Sequence, residues 1–161
     1  MRRSYNVNQK MKFAQYIEDT LPDTQRTPMD TVIEFVEVYN RWAQDCHRLV
    51  KADRTKLSEL VRSDSAARKT MQEIYKKYCT LKNRQYHRGS KGYFFYGGTY
   101  NSSSEIKSCT SLAANKMIIS TEKIKSISTA KRYTVIKQGE VWKIDAVESL
   151  AGDNKWVFDI L

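Results

Sequence analysis

Apolar positions in the first half of the chain recur every three or four residues; in the second half they tend to alternate. From residue 8 onward, Phe13, Ala14, Ile17 and Leu21 follow helical spacing, and Leu21-Pro22-Asp23 ends that segment. Thr27-Pro28-Met29-Asp30 reads as a new helix start. Thr27 can cap, Pro28 suits the first helical position, and Asp30 meets the positive end of the helix dipole. The helix that follows carries Val32, Phe35, Val36, Tyr39, Ala43, Cys46 and Val50 on one stripe, the pattern of a buried face. A short helix is expected around 53–61. Ser63 or Asp64 then caps a further helix reaching about Leu81, with Ala67, Met71, Ile74, Tyr75, Tyr78 and Leu81 inward and Lys69, Glu73, Lys76 and Lys77 outward.

Past residue 88 the pattern changes. GSKGYFFYGGTY (89–100) is rich in glycine and aromatics, which favours strand and turn. NSSSE (101–105) reads as a loop and KMIISTEKIKSIS (116–128) as a strand. AKRYTVIKQGEVWKIDAVES (130–149) reads as a hairpin turning at Gln138-Gly139-Glu140. Strict alternation in its second strand puts Trp142, Ile144 and Ala146 on one face, with Val141, Lys143, Asp145 and Val147 on the other. Gly152-Asp153-Asn154 is a turn, and KWVFDIL closes the chain as a short strand. Helices followed by an antiparallel meander make an α+β layout, whose helical stripes find their natural partner in the concave face of a curved sheet.

Composition narrows the class. At 161 residues the chain fits one domain, large enough to fold without a metal or disulfide staple. With 40% hydrophobic and 29% charged residues, it is neither collagen-like nor wholly disordered. No apolar run approaches about 18 residues, so no membrane-spanning helix is expected. The basic pair Arg2-Arg3 is not followed by an apolar stretch of secretory type, so the expected compartment is the cytoplasm. Cys46, Cys79 and Cys109 are odd in number and widely spaced, which fits reduced thiols, and their spacing with His gives no zinc pattern. The sequence therefore calls for no metal and no cofactor. The formal charge is +10, with a local peak: eight basic residues lie between Arg68 and Lys91, opposed only by Glu73. Such a surface attracts an acidic partner.

Candidate chemistry is sparse. His47, beside Cys46 at the edge of the apolar stripe, reads as a partly buried helix histidine, and His87 in RQYHRG as a solvated one. Cys46-His47 lacks an orienting third group, as nucleophilic catalysis requires. Asp145 is the best carboxylate for a sheet interior, yet alternation turns it away from Ile144. Lys91-Gly92-Tyr93-Phe94-Phe95-Tyr96 partly mimics an RNA-recognition strand, but Phe94 stands where Gly or Ala belongs. Gly89, Gly92, Gly97 and Gly98 lack the Gly-Lys-Ser/Thr ending of a phosphate loop, and suit bends in a curved sheet. Trp42, Trp142 and Trp156 read as core or core-edge, with Trp156 the best placed of the three to anchor a partner.

Four segments carry a resemblance. They are VIEFVEVYNRWAQDC, IYKKYCTLKNRQY, the hairpin RYTVIKQGEVWKIDAVES and the ending GDNKWVFDIL. From Met29 to Leu161 the order resembles the nuclear transport factor 2-like fold, and within it the bacterial immunity proteins of polymorphic toxin systems. The first 28 residues lie outside it and read as a basic helical extension. The resemblance implies a cone of curved sheet around a long helix, used as a binding body and not an enzyme. It implies a cognate toxin domain as partner, neutralised by occlusion of its active site, and a homodimer through the sheet is common in the fold. The alternatives are a small acid/base enzyme of the same fold (isomerase or dehydratase type), which needs an acid/base pair inside a closed apolar cone, and a basic nucleic-acid-binding module. Arg84, Tyr86, Arg88, Tyr93, Tyr96 and Tyr100, with Trp156, combine charge and aromatic area and are the candidate toxin-binding residues. A body of +10 suits a toxin with an acidic contact face. That favours a toxin acting on a protein, nucleotide or small molecule over a nuclease.

Overall fold

The computed structural model describes residues 12–82, 105–121 and 130–159. Helix α1 (Phe13–Tyr16) is a single turn, and a 3-10 turn spans Asp23–Gln25. Three helices follow: α2 (Pro28–Ala52), α3 (Lys56–Leu60) and α4 (Ala66–Tyr78). The strands are β1 (Ile106–Ala113), β2 (Lys116–Thr121), β3 (Lys131–Gln138), β4 (Val141–Leu150) and β5 (Trp156–Phe158). They form a curved antiparallel sheet in meander order, β1 to β5. The α+β expectation holds, with α2 lying across β1, β2, β3 and β4 and α4 packed on α2 and β4.

Helix α2 begins as its sequence dictates. Thr27 Oγ1 accepts from Asp30 N at 3.0 Å, and Asp30 Oδ2 accepts from Thr27 N at 3.0 Å, a reciprocal capping box with Pro28 at the first position. The expected stripe is buried from Val32 to Cys46, while Val50 is only partly so. Trp42 is buried as well, and its Nε1 donates to Ala67 O at 3.0 Å, which ties α2 to the start of α4. The cap of helix α4 lies two residues after Ser63 and one after Asp64. Ser65 is the cap, because its hydroxyl both accepts from Arg68 N at 3.1 Å and donates to Leu60 O at 2.7 Å. Leu81 does not extend the inward stripe. The helix stops at Tyr78, Cys79 bridges to Ile144 in parallel, and Leu81 is 74% exposed.

Three further expectations are corrected. The N-terminal helix is confined to Phe13–Tyr16 among the described residues, and its buried side chain is Tyr16, with Ala14 and Leu21 exposed. Alternation in β4 is broken. Thr134 pairs with Ala146 but Val135 pairs with Ile144, so Asp145 is an extra residue without a partner in β3. This bulge brings Val147 onto the buried face with Ile144 and turns Ala146 to the other. Strand β1 has no counterpart in the sequence reading, because only Ile106 of its eight residues is buried and no alternation marks it. The turn at 138–140 is as expected: Gly139 has φ +61° and Glu140 has no positive φ, the sign pattern of a type II′ hairpin. Segments 89–100 and 122–128 lie outside the described residues.

Among the described residues, aromatic and aliphatic side chains form one buried cluster. Phe35, Tyr39, Trp42, Tyr75 and Tyr78 from the helices meet Ile119, Tyr133, Val135, Ile144 and Val147 from the sheet. The rings pack edge-on or tilted, with Phe35 and Tyr75 at 5.7 Å and Tyr39 and Trp42 at 5.4 Å between centroids.

Candidate functional site

Of the seven candidate toxin-binding residues, Trp156 is described. Arg84, Tyr86, Arg88, Tyr93, Tyr96 and Tyr100 lie outside the described residues. Trp156 sits half-buried on β5. Its position follows from register: Arg132 pairs with Glu148, Glu148 with Phe158, and Leu150 with Trp156. Tyr133 and Val147 face the helices, so Arg132, Glu148, Trp156 and Phe158 share the outer face. There the Arg132 guanidinium lies 4.5 Å from the Trp156 ring centroid. Glu148 grips it with two bonds, Nε to Oε2 at 2.7 Å and Nη2 to Oε1 at 3.0 Å. The hydrogen bonds it donates to Glu148 hold the Arg132 pKa above its ordinary value. Sequence reasoning found Trp156 but missed Arg132 and Phe158, which register alone brings beside it.

A second polar cluster ties the N-terminal segment to the end of α4. Arg26 has a fully buried side chain; its Nη1 donates to Asp23 Oδ1 at 2.6 Å, and its charge lies 4.8 Å over the Tyr78 ring. Lys77 Nζ reaches the same Asp23 oxygen at 2.6 Å. Burial would raise the Asp23 pKa, but the bonds from Lys77 and Arg26 outweigh it and hold the carboxyl below its ordinary value. Glu34 accepts from Tyr78 Oη at 3.2 Å and from Leu21 N at 2.8 Å. Lys143 from β4 donates to the carbonyls of Lys76 at 2.9 Å and Lys77 at 2.6 Å, which caps the negative end of α4. Its desolvation lowers its pKa. Each cation here is held by a carboxylate or a carbonyl, so the arrangement braces the fold.

The remaining sequence candidates separate in space. Cys46 faces the core, and desolvation raises its thiol pKa, which makes it a poor nucleophile. His47, expected to be partly buried, is exposed, because one step along a helix turns the next residue away from its neighbour's face. Asp145 points neither into the interior nor freely outward. The bulge aims its carboxylate along the sheet, where it accepts from Thr80 Oγ1 at 2.8 Å and Lys82 Nζ at 2.7 Å. At the far end of β3, Lys131 and Ser149 both donate to Asp159. Trp42 is in the core, while Trp142 is half-buried at its edge. His87 and the glycines at 89, 92, 97 and 98 lie outside the described residues. No helix among the described residues is long and apolar enough to cross a membrane.

A long capped helix held across a curved antiparallel sheet, with an aromatic interior, is an α+β architecture. The family model described as NTF2 fold immunity protein matches residues 27–159. The chain therefore belongs to the nuclear transport factor 2-like immunity proteins. Neither the curated proteins nor the solved structures compared with it gave a match.

Proposed function

We propose that this protein binds a cognate bacterial toxin domain one-to-one and neutralises it by covering its active site or substrate entry. Membership of the immunity family carries the reading. The described interior supports it, since an enzyme of this fold needs an acid/base pair inside its cone, where this chain buries Phe35, Tyr39, Trp42 and Tyr133. The mechanism is occlusion without chemistry, in the cytoplasm. The net charge of +10 favours an acidic contact face on the toxin. A standard interface buries about 1,600 Å² in total. Arg84, Tyr86, Arg88, Tyr93, Tyr96, Tyr100 and Trp156 are its proposed anchors.

The test uses the C-terminal domain of the protein encoded immediately upstream. Calorimetry is expected to give tight one-to-one binding, and co-expression to rescue growth. No toxicity and no binding would overturn the reading. If binding occurs and alanine at all seven positions leaves affinity unchanged, the anchor assignment is wrong while the function stands.

A further inference from the structure

We propose that the β4–β5 edge is the apolar centre of the toxin interface, met by an apolar recess on the toxin rimmed with carboxylates. This rests on the immunity reading above and gives it a surface.

The two most exposed large apolar side chains among the described residues are Phe158, at 80%, and Leu81, at 74%. They come from distant parts of the chain to the same edge of β4. Thr80 N donates to Ile144 O at 2.9 Å, and the Asp145 carboxylate holds Thr80 and Lys82, so Leu81 sits between two anchored residues. Phe158 pairs with Glu148, three residues beyond Asp145 and about 10 Å along the strand. Isolated exposed apolar residues are ordinary on a soluble protein. Two of them on one edge, beside a Trp–Arg pair of the residue types enriched in hot spots, form an apolar cluster with an anchor next to it.

The platform is also pre-organised. Glu148 fixes Arg132, and Arg132 fixes the Trp156 ring. A partner landing there has less side-chain freedom to freeze. Phe158 can bury on the order of 150 Å² against it.

Charge identifies the occupant. The carboxylates on this edge, Asp145, Glu148 and Asp159, are held by Lys82, Arg132 and Lys131. From Lys82 the chain runs into residues 83–104, which carry Arg84, Arg88 and Lys91 and no Asp or Glu. A second copy, also +10, meets it with like charge, whereas a toxin face with carboxylates around an apolar recess complements it.

The experiment measures Kd for the upstream-encoded toxin domain against the full chain and against Phe158→Asp, Leu81→Asp and Leu112→Asp. Leu112, 58% exposed on β1 at the opposite edge of the sheet, is the control. Phe158→Asp and Leu81→Asp are each expected to weaken binding at least tenfold with unchanged melting temperatures, and Leu112→Asp to leave it unchanged. Phe158→Ala, expected to weaken binding less than Phe158→Asp, covers the case in which the charged variant folds poorly. Wild-type affinity in both edge variants would overturn the proposal and leave the immunity reading intact, as would loss confined to Leu112→Asp. A wild-type protein that fails to bind the toxin overturns both. Sedimentation showing a dimer that Phe158→Asp dissociates would assign the edge to self-association and overturn the proposal.

Discussion

Replacing Asp23 by alanine tests whether the N-terminal segment is held by a charge network. Asp23 Oδ1 accepts from both Arg26 and Lys77 at 2.6 Å. Its loss leaves the Arg26 guanidinium buried, with Glu34 at 3.8 Å, the Lys77 carbonyl at 3.5 Å and the Tyr78 ring. Its Nε is buried with no hydrogen-bond partner even in the intact protein. Removing one partner of a fully buried pair costs about 3–5 kcal/mol. Asp23 is 44% exposed, so water already screens it, and Glu34 compensates in part. Roughly 2 kcal/mol remains, or about 4–8 °C in melting temperature for a chain of this size. Arg26→Met removes the buried charge instead and fills its space, and is expected to cost less than about 1 kcal/mol. The double variant should then be more stable than Asp23→Ala alone. Urea melts of the four proteins measure this coupling directly. Equal losses in the two single variants, adding in the double, would refute the account. The pH dependence has a fixed sign. The folded pKa of Asp23 lies below its unfolded value, so its contribution is full above about pH 4 and fades as pH falls through the folded pKa. Asp23→Ala should flatten that part of the acid stability curve.

Trp42→Phe leaves the Ala67 carbonyl without its donor and opens space in the core; a loss of about 2 kcal/mol in urea melts is expected. Gly139→Ala places a Cβ at φ +61° in the β3–β4 turn, where nothing lies within 4 Å, so backbone strain alone should cost about 1–2 kcal/mol. Thiol labelling of the native protein should modify Cys109 quickly, with Cys46 and Cys79 reacting only on unfolding; three equally fast thiols would contradict the packing.

What was legible in the sequence follows from which signals are local. Thr27-Pro28-Met29-Asp30 announces α2 because cap, proline and acid act within four residues, and the stripe from Val32 to Cys46 repeats often enough to fix its inward face. Gly139 marks the β3–β4 turn for the same reason. The missed features depend on partners. Ser65 displaces Asp64 as a cap because its hydroxyl also meets Leu60 O across the turn. The bulge at Asp145 is invisible in β4 alone, because a strand's alternation says nothing of how its neighbour counts. Strand β1 escapes notice because its side chains are exposed beyond Ile106, so pairing with β2 and not burial makes it a strand.

The bulge also bears on where binding can reside. With strict alternation, Val147 would leave the core and Asp145 would stand on the outer face beside Lys143. One extra residue returns Val147 to the interior and turns Asp145 toward Thr80 and Lys82. The same residue thus completes the core and anchors the chain leaving α4 along the edge of β4 that also pairs with β5. Core closure and the proposed partner-facing edge are coupled there. An Asp145→Ala variant is therefore expected to loosen the Thr80–Lys82 anchor and weaken toxin binding more than it lowers stability, since the carboxylate's two contacts lie at the sheet edge and Ile144 and Val147 keep their burial. Hydrogen exchange at Thr80 N, which bonds to Ile144 O, reads the loosening, and a toxin titration reads the binding. Unchanged exchange in this variant would show that the parallel bridge between Cys79 and Ile144 holds the segment without the Asp145 carboxylate.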